Sequence, residues 1–148
     1  MKIRVKQIQN FQQLASANSR SVVIDQGTDR GGEDLGFRPT ELWMIGLSSC
    51  SATTMTRYAK EQNYSLTGLE VHAEDRLNEQ GYIEAITFQV TLEGDLSPEQ
   101  KADLLEYTKV NCKLLRTVSP DIAISYEEVK ELKMMNAACS LKDGSCCM

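Results

Sequence analysis

A chain of 148 residues, 41% hydrophobic and 25% charged, is long enough for one domain with its own core, and so ordinary a composition excludes a disordered or low-complexity chain. The formal net charge of -5 argues against nucleic acid or an anionic membrane as the main partner. The first residues lack the apolar core of a secretory signal, and no stretch approaches the ~18 apolar residues of a membrane span, so the expected location is the cytoplasm.

Residues 2–8 alternate charged and apolar side chains, with Ile3 and Val5 on one face, which predicts an edge or half-buried strand. Residues 21–25 (SVVID) are a short β-branched run and predict its neighbour. Residues 26–36 carry four glycines and three acidic residues and read as a loop. Pro39 suits the first turn of a long helix running through residue 63. Its first half, with Leu42, Trp43, Met44, Ile45, Leu47, Cys50 and Ala52, is apolar on nearly every side, and a helix apolar all round is a buried one. Leu69, Val71 and Ala73, then Ile86, Phe88, Val90 and Leu92, alternate with polar residues and predict a hairpin with one wet face. Ser97, Pro98 and Gln100 open a second long helix through a capping box, with Leu105, Thr108, Cys112 and Leu115 on one face. Residues 122–126 (IAISY) predict a last strand, and residues 129–135 a helical turn. The order β-β-α-β-β-α-β indicates an α+β fold. The domain is expected over residues 1–132, with a Cys- and Met-rich tail over 133–148.

Five cysteines in a reducing compartment are packing, metal-binding or reactive residues rather than a disulfide framework. Cys139, Cys146 and Cys147 lie in the tail, where soft ligands suit Cu(I) or zinc. An unpaired cysteine often only packs. Against that reading, Cys50 stands mid-helix among Ser48, Ser49 and Ser51, and Cys112 stands on the other long helix, so the two helices can bring the sulfurs together. The single histidine, His72, falls on the polar face of a strand and reads as an ordinary exposed residue, which leaves no basis for a Ser-His-Asp triad. Trp43 reads as core or interface.

The segment PTELWMIGLSSCSA (39–52), with a cysteine eleven positions after a proline, resembles the central-helix motif of the OsmC and organic-hydroperoxide-resistance (Ohr) family. The segment ADLLEYTKVNCKLL (102–115) resembles that family's second-cysteine helix, and the similarity extends over about residues 1–127. The resemblance implies an intertwined homodimer, antiparallel sheets around two long central helices, and active sites at the subunit interface. It implies a thiol-dependent peroxidase that reduces organic hydroperoxides without a cofactor or metal. Cys50 would become a sulfenic acid, Cys112 would condense with it, and an external dithiol would restore both. Two departures bear on this. The family's peroxidase branch has glutamate directly after the proline; Thr40 stands there and Glu41 follows, about 100° further round the helix. The activating arginine of that branch has no direct counterpart; Arg20 is the first candidate and Arg38 the second. Lys113 follows the second cysteine, where its charge favours a nearby thiolate. The alternative reading is a family member that senses redox state or binds a ligand without efficient peroxidase turnover, and a third is soft-metal binding through the tail.

Overall fold

The computed structural model describes residues 1–132. The expected tail, with Cys139, Cys146 and Cys147, lies outside the described residues, as do the last three residues of the helical turn expected over 129–135; residues 129–132 are not helical.

Three short strands open the chain. β1 (Ile3–Gln9), β2 (Gln12–Ala17) and β3 (Arg20–Ile24) form an antiparallel sheet in that order. Its tight turns place Asn10 and Asn18 at positive φ, a conformation asparagine tolerates better than most residues. The sequence predicts only two strands here. β2 reads QQLASA, with no β-branched residue, and forms because both neighbours pair with it. Every residue of β1 is exposed, and the sheet packs little on the rest of the chain.

Asp25 closes β3 and organises the loop that follows. Its carboxylate accepts the N–H groups of Gln26, Glu33 and Leu35 at 2.8, 3.2 and 3.2 Å. Phe37 then bridges to Ile24, and Pro39 starts α1 (Pro39–Glu61), 23 residues long. Glu41 caps this helix by accepting the Arg38 N–H at 2.8 Å.

β4 (Ser65–Leu77) and β5 (Ile83–Asp95) form the expected antiparallel hairpin. The Asn78 carboxamide holds its turn by accepting the N–H groups of Gln80 and Tyr82. Gly94 sits at φ 130 with its α-carbon against the Ser65 carbonyl, where a side chain would collide. Ser97 and Gln100 cap α2 (Pro98–Asn111) reciprocally, as the sequence predicts. A short 3-10 turn (Leu115–Thr117) leads to β6 (Ala123–Glu128).

Three expectations need correction. β6 pairs parallel to β5, because α2 is a crossover connection; the second sheet, β4-β5-β6, is therefore mixed rather than antiparallel. The two helices are not both long: α2 has 14 residues and stops at Asn111, before Cys112. In the single chain α1 buries one stripe, not its whole girth. Leu47, Ser51, Met55 and Ala59 recur every fourth residue and pack with Ile86, Phe88, Val90, Leu92 and Leu104, while Trp43 and Ile45 stay exposed.

Candidate active site

Cys50 precedes Ser51 on α1, and one residue turns a helix by about 100°. Ser51 therefore points into the buried stripe while Cys50 sits at its border, half-buried. Cys112 is wholly buried at the C-terminal end of α2. Its N–H still donates to the Thr108 carbonyl at 2.9 Å, but its own ψ of 118° takes the chain out of the helix. The amides that follow act on both sulfurs: those of Leu114 and Leu115 favour a Cys112 thiolate, and those of Lys113 and Leu114 a Cys50 thiolate. The two thiols are near enough to shift each other's acidity, and both are unbridged. The pair that the sequence distributes over two helices thus meets where α2 ends against the middle of α1.

Their environments push them apart in acidity. Burial raises the Cys50 thiol, and the proximity of Cys112 raises it further against the lowering effect of the two amides. Burial acts on Cys112 in the same upward direction, but four donors outweigh it: the Leu115 amide, the Cys50 thiol, the Ser51 hydroxyl and the Leu114 amide. Cys112 is held below the ordinary thiol range. Within one chain, then, Cys50 is the sulfur that a solute reaches and Cys112 the more acidic of the two.

The other residues singled out from the sequence lie elsewhere. Arg20 is exposed at the start of β3, on the sheet that packs little on α1. Glu41 is about 13 Å along the α1 axis from Cys50, engaged in its cap. The Arg38 guanidinium donates to Asp29 at 3.2 Å. None of the groups that shift either thiol is an arginine. Lys113 contributes its backbone amide to Cys50. His72 lies on β4 beside Glu70 at 3.0 Å, half-buried rather than exposed as the sequence suggested.

Two residues went unnoticed in the sequence. Ser51, read there as a small neighbour, is wholly buried; its hydroxyl bonds to the Tyr126 hydroxyl, donates to the Leu47 carbonyl at 2.9 Å and lies 3.9 Å from the Cys112 sulfur. Tyr126 stands on β6 with its ring stacked on Phe88 at 4.7 Å. Its inward register, alternating with exposed Ser125 and Glu127, was the available signal.

Two hollows open on the surface. One of about 740 Å³ lies over the second sheet, lined by Glu70, His72, Glu93, Lys101 and Glu128, away from the sulfurs. A shallower one of about 560 Å³ follows the open side of α1 past Ser49, Ala52, Thr53 and Arg57, next to Cys50. Among the described residues, no cluster of three or more His, Cys, Asp or Glu side chains is placed to hold a metal ion, and no helix is long and apolar enough to cross a membrane.

Comparison with solved structures finds the same fold in proteins of low identity. A stress-induced and detoxification-response protein from Psychrobacter arcticus superposes with a TM-score of 0.77 at 16% identity, covering 87% of this chain and 96% of its own. An OsmC-like protein from Mycoplasma pneumoniae gives 0.77 at 14% identity, covering 86% and 94%. The organic hydroperoxide resistance protein OhrB of Bacillus subtilis gives 0.65 at 18% identity, covering 86% and 96%. No curated protein matches the chain. A family model described as OsmC-like protein matches residues 31–127, which span α1, the β4–β5 hairpin, α2 and both cysteines, and the chain belongs to that family.

Proposed function

We propose that the protein is a thiol-dependent peroxidase that reduces organic hydroperoxides through Cys50 and Cys112, as part of an oxidative stress response. The observation that carries this reading is the pair itself: a half-buried thiol beside a wholly buried, more acidic one, both unbridged. Cys50, the harder of the two to ionise in the single chain, must first give up its proton; its thiolate then attacks the terminal peroxide oxygen while Cys112 is still protonated. The O–O bond breaks, Cys50 becomes a sulfenic acid, and the alkoxide leaves with the electron pair. The Cys112 proton goes to the alkoxide, which departs as alcohol. Cys112, now a thiolate, attacks the Cys50 sulfur and expels hydroxide as the disulfide forms. An external dithiol then reduces the bond and is itself oxidised to a disulfide. The reaction uses no cofactor or metal.

The reading also proposes a homodimer. The apolar side chains that one chain leaves open, Ile3, Val5 and Ile8 on β1 and Trp43, Ile45, Val110 and Leu114 on the helices, call for a covering surface. A second copy would supply it, with Arg20 or Arg38 brought across the interface to favour the Cys50 thiolate. The two cysteines and the fold are compatible with a second reading, a redox sensor without rapid turnover. The engagement of Glu41 in the α1 cap and of Arg38 with Asp29 favours it, since neither is free to activate Cys50 in the single chain.

Peroxide consumption decides between them. In a variant lacking Cys139, Cys146 and Cys147, cumene hydroperoxide and a dithiol should give catalytic turnover and an intrachain Cys50–Cys112 bond. Cys50→Ser should abolish consumption, because a hydroxyl is not ionised at neutral pH. Cys112→Ser should allow one oxidation and then accumulate Cys50 as sulfenic or sulfinic acid. Formation of the bond without turnover would favour the sensor; no bond and no consumption would reject both.

A further inference from the structure

The hydroxyl pair beside Cys112 has no part in the peroxidase scheme above. Ser51 interrupts the apolar stripe of α1, and a buried hydroxyl there is costly unless bonded. It has one proton to give and three neighbours: the Leu47 carbonyl, the Cys112 sulfur and the Tyr126 hydroxyl. Either hydroxyl can donate in the Ser51–Tyr126 bond. With Tyr126 donating, Ser51 keeps its own proton for Leu47 or Cys112.

We propose that Tyr126 and Ser51 form a buried hydroxyl relay that stabilises the Cys112 sulfur as an anion, which makes them positioning residues for the Cys50–Cys112 couple. The inference rests on the two-cysteine reading but makes a separate claim. When Cys112 is neutral or bonded to Cys50, the Ser51 proton stays on the Leu47 carbonyl, an ordinary i to i−4 contact in a helix. When Cys112 is a thiolate, the same proton turns to the sulfur while Tyr126 continues to donate from behind. Burial pushes the Tyr126 phenol well above its usual value, so it remains a neutral donor at any working pH. A thiolate on Cys112 appears twice in the cycle. It is the nucleophile that attacks the sulfenic acid. It is also the leaving group when the external dithiol attacks Cys50, breaks the S–S bond and leaves the electron pair on Cys112. Stabilising it favours the reduced state and makes the disulfide easier to open.

The test uses the full-length chain with Cys139, Cys146 and Cys147 replaced by serine. With Cys50 also replaced by serine, thiolate absorbance against pH reports Cys112 alone. Ser51→Ala should move the Cys112 midpoint about one pH unit higher, a tenfold loss of thiolate below it. Tyr126→Phe keeps the stack on Phe88 and should shift the midpoint the same way by less. The double variant should match Ser51→Ala, because Tyr126 acts through Ser51. With Cys50 present, equilibration against dithiothreitol at a pH above both Cys112 midpoints should show the Ser51→Ala disulfide about tenfold harder to reduce, about 30 mV for a two-electron couple. An unmoved Cys112 midpoint in Ser51→Ala overturns the proposal, as does one that falls. Should Ser51→Ala fail to fold, an unmoved midpoint in Tyr126→Phe overturns it equally. A Cys112 that titrates as expected in a protein that consumes no peroxide rejects the peroxidase reading and leaves the relay standing.

Discussion

Asp25 is wholly buried at the end of β3, in a region where most neighbouring side chains reach solvent. Burial pushes its carboxyl up, but the amides of Gln26, Leu35 and Glu33 outweigh that and hold it below the usual carboxylate value. A folded-state pKa below the unfolded one gives stability that is fully present above the unfolded carboxylate range and is lost as pH falls through the folded value. The loop from Gln26 to Phe37 should therefore loosen in acid before the body of the protein does. Hydrogen exchange should show Glu33 and Leu35 amides steadily protected above about pH 4 and progressively unprotected below it. Asp25→Asn, with one acceptor oxygen in place of two, should lower that protection at neutral pH too. The same residue-scale logic governs the cysteines, where a few backbone amides help decide which of two neighbouring thiols is the more acidic.

Among the elements, α2 depends on few contacts. Its wholly buried residues are Leu104 and Thr108, and Ser97 caps its start. Leu104→Ala should cost about 2–5 kcal/mol in urea denaturation, and Ser97→Ala about 1 kcal/mol. Because Cys112 sits at the far end of this helix, the first substitution should also blunt disulfide formation. The start of α2 was readable because proline and the capping box are local signals, and α1 and the hairpin were readable from Pro39 and from strict alternation. The end of α2 was not. Helical spacing of apolar residues continues through Cys112 and Leu115, yet the backbone leaves the helix so that its amides face the sulfurs. β2 was missed because its polar sequence has no strand preference of its own and takes its form from pairing. Both cysteines were legible as residue types on predicted elements. Ser51 and Tyr126 were not, since they meet only after β6 has paired beside β5, a long-range event with no local signature.

At the scale of the molecule, the first sheet is the feature that a single chain leaves least explained. Its strands are joined to one another and to little else, and its apolar side chains stay open. Sedimentation at micromolar concentration should find a dimer, and Ile45→Glu, placing a charge on the open face of α1, should weaken it; a stable folded monomer of the unaltered chain would count against the assembly. The meeting of Cys50 with Cys112 has a further consequence. The two are about 60 residues apart in the chain, and the stretch between them holds β4, β5 and α2. A bond between the sulfurs would close that stretch into a ring that survives unfolding. The unfolded chain would lose freedom worth about 4 kcal/mol by loop-closure entropy, while the folded chain loses none. Heat resistance should then follow the redox state: in calorimetry the oxidised chain should melt about 10 °C above the reduced one, and each reduction should return the protein to its more easily unfolded form.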